Sequence, residues 1–419
     1  MSSPARTVAL VIGGGLVGLS SALHLQRSGV TVTVLEPHEK PQGASWGNAG
    51  HIATEQVQPL ASPAMITGAF GRLYPRGALA LPVGQIGAWG PFALKLLRAS
   101  TPARFAAGTT ALSALLAEAM PAWQRLCDLA GAAHLLRQDG HFVAWESTAS
   151  AAKGRGHWLS TDIGTATVRD ATADELAAIQ ALAPRGKITG AVRFAGSGQM
   201  TDLGALADAL RRALVAAGGT VRHAKADRVQ IEGGKAFAII GSERLTADHV
   251  VLCAGAASAR LLRPIGLRIP LIAERGYHIQ SPTSHWPGDM PPVAFEDRSM
   301  IVTRFADGLR AASFIEFAAQ NAPPDPSKWR KLRAHVAELG LPFEQPGSHW
   351  IGARPTLPDY LPAIGRSRRA ANLLYAFGHQ HLGMTLAAVT GEAIAALAAG
   401  KTPAMDLTPF DPARFGDTT

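Results

Sequence analysis

The chain has 419 residues, 47% of them hydrophobic and 17% charged, with 44 glycines and a formal net charge of +9. That length exceeds what one hydrophobic core usually organises, and the composition excludes a fibrous or disordered chain in favour of a two-domain α/β enzyme. Basic residues are scattered rather than clustered, so nucleic acid is not an expected partner, while an anionic membrane or anionic ligand is compatible with the charge.

The two cysteines, Cys127 and Cys253, lie far apart in apolar stretches. They give neither a disulfide framework nor a zinc set, so no metal is expected and a reducing, cytoplasmic setting fits. In chain order, a strand over Thr7–Ile12, a helix over Leu16–Ser28 stopped by Gly29, and a strand over Val30–Glu36 form a βαβ unit. The apolar stretch Val8–Leu25 belongs to that unit and reads as neither a signal peptide nor a membrane span. From Ala61 to Ser150 the sequence is helical scaffold. Within it Ala78–Leu97, broken by Pro82, Gly84, Gly87, Gly90 and Pro91, reads first as core and second as a surface-seeking patch.

Ala205–Ala217 predicts an amphipathic helix, Val221–Ile231 a strand, and Asp248–Ala254 a buried strand. Several short β-rich stretches between Pro270 and Phe317 predict the antiparallel floor of a second domain, where substrate is expected. Asn372–Phe377 reads as a strand, Gly378–Gly383 as a glycine-bounded loop, and Thr385–Ala399 as a helix closed by Gly400.

Chemistry concentrates first at Gly13-Gly14-Gly15-Leu16-Val17-Gly18. Gly13 permits a tight turn, Gly15 lets backbone approach a pyrophosphate, and Gly18 lets the helix pack on the strand. Glu36 ends the second strand, close to the spacing of about 20 residues at which an acid receives ribose hydroxyls and disfavours a ribose phosphate. Strand, glycines, helix and acid coincide, which makes dinucleotide binding the reading; the alternative is a plain glycine turn with a solvated Glu36.

Four further blocks join this one to give a resemblance. Gly43 to His51 contains Ser45, Asn48, Ala49 and Gly50; Asp248 to Ser258 contains Ala254 and Gly255; then come Glu274-Arg275-Gly276-Tyr277-His278 and Trp350-Ile351-Gly352-Ala353-Arg354-Pro355 with Gly378-His379-Gln380-His381-Leu382-Gly383-Met384-Thr385. Together they resemble the FAD-dependent amine and D-amino acid oxidoreductases, the family that includes bacterial D-amino acid dehydrogenase, glycine oxidase and sarcosine oxidase. The resemblance is nearest to D-amino acid and D-hydroxyproline dehydrogenases. The distal glycine loop launches a helix whose positive end can face a flavin where negative charge gathers on reduction, a device an NAD dehydrogenase does not need.

The resemblance implies a Rossmann-like, glutathione-reductase-like FAD-binding domain over residues 1–60, 195–262 and 350–419, and an antiparallel-sheet substrate domain over 61–194 and 263–349. It implies that the first loop, the Ser45–Gly50 stretch, Ala254, Gly255 and the loop from Gly378 to Thr385 hold FAD, with Val229 meeting adenine through its backbone or simply filling core. Neither cysteine lies in the distal loop, so noncovalent FAD is expected.

The implied reaction oxidises the carbon–nitrogen bond of a small D- or secondary amino acid, such as D-proline or 4-hydroxy-D-proline, by hydride transfer to flavin. Arg354 matches the family arginine that anchors the substrate carboxylate, as a planar fork suits, and Arg275 and Arg310 are next in line. His51 and His381 are candidates to accept the ammonium proton or shape the pocket. Tyr277 lines the pocket or packs in the core, and His379 fixes its loop. The electron acceptor is a quinone, a partner flavoprotein or oxygen, and peripheral attachment at the inner face of the membrane is compatible. A glycine- or sarcosine-type oxidase, a non-catalytic flavin module and a tRNA-modifying protein are the alternatives.

Overall fold

The computed structural model describes residues 7–282, 285–344 and 347–417. The βαβ unit is present: β1 (Val8–Ile12), α1 (Leu16–Arg27) and β2 (Thr31–Leu35), with Val8 opposite Thr31 and Ile12 opposite Leu35 in parallel register. Ala9, Val11, Val32 and Val34 are fully enclosed against a helical core on one face, while Leu10, Ile12 and Leu35 pack on the other face against Val229, Ala236 and Ala238, so the strands of this parallel sheet keep no polar side.

Distant segments complete this sheet. Thr220–Arg222 adds beside β2, His249–Leu252 beside β1, then Leu373–Phe377 in parallel and Ala363–Arg366 as an antiparallel edge. The single strand expected over Val221–Ile231 is two elements. Thr220–Arg222 stays in the parallel sheet, whereas Arg228–Glu232 opens a three-stranded antiparallel sheet with Lys235–Ile240 and Glu243–Thr246. Alternation continues across the break and hides the change of partner.

The second large sheet has nine strands. Its centre is longer than the short stretches expected: Ile272–Ser281 and Gly308–Ala318 have 10 and 11 residues and pair antiparallel. Ser348–Thr356 flanks Ile272–Ser281 on the other side, which places Arg354 directly opposite Glu274. Phe142, Tyr277, Phe295, Phe314 and Trp329 form the core beneath.

The C-terminal helix runs Gly383–Ala398, two residues earlier than expected. Gln380–Ala398 is long and apolar enough to cross a membrane, yet its side chains are packed into the protein core against α1. At the crossing a Cβ on Gly391 would lie 2.2 Å from Ser20 Oγ and 2.8 Å from the Ser20 backbone carbon; only a glycine lets the two helices meet so closely. In the Ala78–Leu97 run, Phe92 and Leu96 are buried as core while Val83, Ile86, Leu94 and Leu97 face solvent, as does Phe70 earlier in the chain, 86% exposed. Both readings of that run apply, one to each helix face.

Candidate active site

The first glycine loop is shaped by contact with its neighbours. Gly13 takes φ +110°, and a Cβ there would lie 2.5 Å from the Cys253 carbonyl oxygen; on Gly18 it would lie 1.9 Å from that of Gly13. Gly15 caps α1 with no side-chain cap bond and no acid in the first turn, so the positive helix end is open to phosphate. Leu16 N donates to Ser45 Oγ (3.1 Å), and Gly14 N donates to Glu36 Oε2 (2.8 Å). Gly255, at φ +53°, follows Ala254 at the end of the neighbouring strand. Val229 is fully buried in the core, so its side chain fills the packing role.

The stretch that follows β2 braces itself. Asn48 Nδ2 donates to Ser45 O and Gly50 N donates to Asn48 Oδ1, both at 2.7 Å, about Ala49. Ala53 N donates to Thr385 Oγ1 (2.9 Å), and Trp123 Nε1 donates to Met384 O (3.0 Å). These bonds tie the stretch to the first turn of the C-terminal helix, which likewise has no side-chain cap bond and no early acid. Two open helix N-termini therefore converge from opposite ends of the chain.

The distal loop is held from inside. His379 Nε2 meets Thr390 Oγ1 at 3.0 Å, and burial lowers its imidazole to about 3, so it is a neutral strut. Gln380 Nε2 donates to Tyr360 O (2.9 Å) while its Oε1 accepts from His381 N (3.0 Å); Leu382 is buried beneath. Burial lowers His381 to about 4, and its ring feels Glu274, Arg354 and Glu55. Its Nδ1 is shielded from water and lacks a protein partner.

On the large sheet, Arg354 Nη1 donates to Glu274 Oε1 (3.2 Å) and to Phe314 O (3.1 Å). The fully buried Glu274 also accepts from Thr356 Oγ1 (3.0 Å) and Tyr360 Oη (3.1 Å) at Oε2. The Arg354 side chain remains 27% exposed. Gly276 makes the room: a Cβ there would lie 2.4 Å from Arg354 Nη2.

Strand alternation sends Arg275 and Tyr277 to the opposite face. Arg275 Nε donates to Glu316 Oε1 (2.6 Å), Tyr277 Oη donates to the same oxygen (3.0 Å), and Lys328 closes the network on Glu316. Tyr277 therefore does not line the pocket; it is core, with its hydroxyl pushed up by burial. Arg275 is likewise consumed.

Arg310 is consumed differently. Its Nε and Nη2 donate to Gln280 Oε1 and its Nη1 to Asn48 O, and burial lowers the guanidinium to about 10. His278 Nδ1 meets Gly47 O at 2.8 Å, stays neutral at about 3 through burial, and stacks on Trp350. Trp350 lies where a Cβ on Gly47 or Gly352 would be 2.3 or 1.8 Å away. These side chains clamp the Gly47–Asn48 loop onto the sheet that carries Arg354.

His51 is drawn elsewhere, to Glu55 (Nε2 to Oε1, 3.2 Å) and His141 (ring centroids 4.5 Å). Burial pushes the Glu55 carboxyl up, the two imidazoles pull it down, and the pull prevails. The sequence reading gave no role to Glu55, His141 or Gln199, and named Glu274 only as part of a motif. One signal existed: Glu55 is the lone acid between Glu39 and Glu118.

A parallel dinucleotide sheet with two open helix ends, clamped to an antiparallel sheet that offers a partly open arginine, defines a two-layered flavoenzyme. Residues 9–397 match the family described as FAD dependent oxidoreductase. The chain is 34% identical to a D-amino-acid oxidase of Bradyrhizobium diazoefficiens over 97% of this chain and 98% of that one. It is 29% identical to D-amino acid dehydrogenase 2 of Pseudomonas aeruginosa over 95% and 96%. Among solved structures, iminodiacetate oxidase from a Chelativorans species shares the fold with a TM-score of 0.71 at 20% identity (97% and 98% covered), and glycine oxidase from Geobacillus kaustophilus with 0.68 at 21% (97% of each). The chain belongs to the FAD dependent oxidoreductase family, and it is an FAD-dependent enzyme that oxidises an amino acid or amine.

Proposed function

We propose that the enzyme oxidises the Cα–N bond of a D-configured or secondary amino acid, such as D-proline or 4-hydroxy-D-proline, to the imino acid, using noncovalent FAD. The observation that carries this reading is Arg354, held by Glu274 through one nitrogen while the rest of its fork stays open. A guanidinium so fixed binds a carboxylate bidentately and presents one face of Cα. The parallel sheet then serves the cofactor and the nine-stranded sheet the substrate, with Arg354 reaching the pocket from the latter's edge.

The glycine loop and the α1 N-terminus would hold the FAD pyrophosphate, Glu36 its ribose, and the distal loop and Gly383 helix end its pyrimidine edge. FAD supplies the two-electron acceptor for the Cα hydride. His381, kept neutral by burial beside Glu274 and Arg354, shapes the pocket without repelling the substrate amine. His51 is committed to Glu55, which favours His381 for this role. Two cysteines buried away from the distal loop support noncovalent attachment.

Anaerobic bleaching of the bound flavin by a panel of D-, L- and N-alkylated amino acids tests the substrate class. D- or cyclic secondary amino acids should bleach it fastest; bleaching by L-amino acids or glycine alone would overturn the reading.

A specific observation favours a membrane-borne acceptor over oxygen. Between residues 56 and 117 the chain has no acid and five basic residues, Arg72, Arg76, Lys95, Arg98 and Arg104. The exposed Phe70, Val83, Ile86, Leu94 and Leu97 lie in the same segment. Apolar anchors among cations suit an anionic bilayer surface, where a quinone is at hand.

A further inference from the structure

The cluster of His51, Glu55 and His141 has more donors than the protein uses. One ligand atom from each lies within 4.8 Å of the others, although the residues come from the FAD-side stretch and from the first position of the His141–Trp145 strand in the nine-stranded sheet. Glu55 is 3% exposed and His141 5%. Glu55 Oε2 and His51 Nδ1 are shut away from water with no protein partner.

Two neighbours extend the pattern. His141 Nδ1 meets Ser197 Oγ at 2.9 Å; with Nδ1 donating to that hydroxyl, Nε2 is the nitrogen left to ligate, as in ligating histidines whose second nitrogen is bonded to a partner. Gln199 stands opposite His51 in the antiparallel pair of their strands, so the two side chains share a face. Gln199 is fully buried, and neither its amide oxygen nor its nitrogen has a partner.

Buried polar atoms left unbonded are expensive, and a buried carboxylate with an unpaired oxygen more so. A cation placed among them satisfies the set. Two imidazoles and one carboxylate, with an amide oxygen or water in fourth position, form a ligand set for a divalent first-row ion.

We propose that His51, Glu55 and His141 bind one divalent transition-metal ion, with zinc as the best fit to a closed, redox-silent site, and that the ion clasps the stretch beside the flavin to the substrate sheet. The clasp transfers no electrons. It fixes the path of the chain from Gly50 to Glu55, and it stands apart from the assignment of the reaction.

Tag-free holoenzyme, dialysed against chelator and then assayed by elemental analysis and zinc titration calorimetry, tests this. The expected result is about one zinc per chain and a zinc-dependent rise in Tm. Glu55→Gln and His141→Ala should abolish both while FAD content persists, and Ser197→Ala should weaken zinc about 10- to 100-fold through its bond to the ligand. Zinc-free holoenzyme that takes up no zinc overturns the site. So does zinc bound equally well by the two ligand variants, which places it elsewhere. Should Glu55→Gln fail to fold, His141→Ala and Ser197→Ala decide alone, since both leave the carboxylate in place.

Discussion

Arg354 sits on the boundary between a structural and a catalytic residue, and one bond decides which side dominates. Glu274 holds Nη1, so replacing Arg354 both frees a buried carboxylate and empties the anchor. Arg354→Lys keeps the charge but loses the fork, so KM should rise with FAD content unchanged. Arg354→Ala should lower kcat/KM at least about thirtyfold, the scale of losing a charge-assisted pair of about 2 to 5 kcal/mol in a desolvated pocket. Steady-state kinetics beside flavin absorbance checks this: an Ala variant that loses flavin while its folded fraction turns over normally would return Arg354 to a purely structural role. Gly276 and Glu274 were visible as letters, but nothing in their spacing says that one makes room for Arg354 and the other pairs with it.

Two elements carry separate expectations. The C-terminal helix meets α1 at Gly391, where even one methyl would overlap Ser20. Gly391→Val forces those helices apart, and with them both helix ends proposed to hold the cofactor. Overpacking of this kind costs typically about 1–3 kcal/mol, so denaturant midpoints should fall and FAD retention after gel filtration should drop with them; an unchanged midpoint would mean the helices tolerate separation. The second element is the helix Ile86–Ala99, with Val83 before it. Holoenzyme should co-sediment with vesicles rich in anionic lipid, release in high salt, and ignore neutral vesicles. Leu94→Asp, which alters only an exposed position, should abolish sedimentation and leave turnover with a soluble dye acceptor intact; sedimentation that persists would remove the membrane reading.

For the whole molecule, buried neutral histidines set the acid side of stability. His278 and His379 are lowered to about 3 and His381 to about 4, each first by burial. In the unfolded chain they titrate near about 6.5, so between there and about pH 4 the unfolded state binds protons that the native state refuses. Their contribution is present above about pH 6.5 and is lost as pH falls. Each such group gives a slope approaching about 1.4 kcal/mol per pH unit near the middle of that window, and His141 and His335, lowered to about 3 and about 4 by burial, act in the same direction. Denaturant titrations at about pH 7 and about pH 5 should show the loss, and His379→Asn should flatten it by about 1.4 kcal/mol per pH unit; a profile level through this window would mean that these imidazoles are hydrated.

The βαβ unit, its glycines, the acid at position 36 and the distal glycine loop were legible in the chain because each is local. A turn that needs positive φ, a strand covered on both faces and a helix start leave their marks within a dozen residues. The centre of the second sheet, Ile272–Ser281 with Gly308–Ala318, was legible as antiparallel strand, and the run over Ala78–Leu97 as ambiguous, for the same reason. What only the tertiary structure decided is which side chains spend their bonding on one another. Arg275, Arg310 and Arg354 are equivalent as letters, yet Glu316, Gln280 and Glu274 reach them from 41, 30 and 80 residues away. Pairing of that range is set by sheet register, and a single residue of slip would turn each arginine to the other face. The same register made Tyr277 core and left Arg354 open.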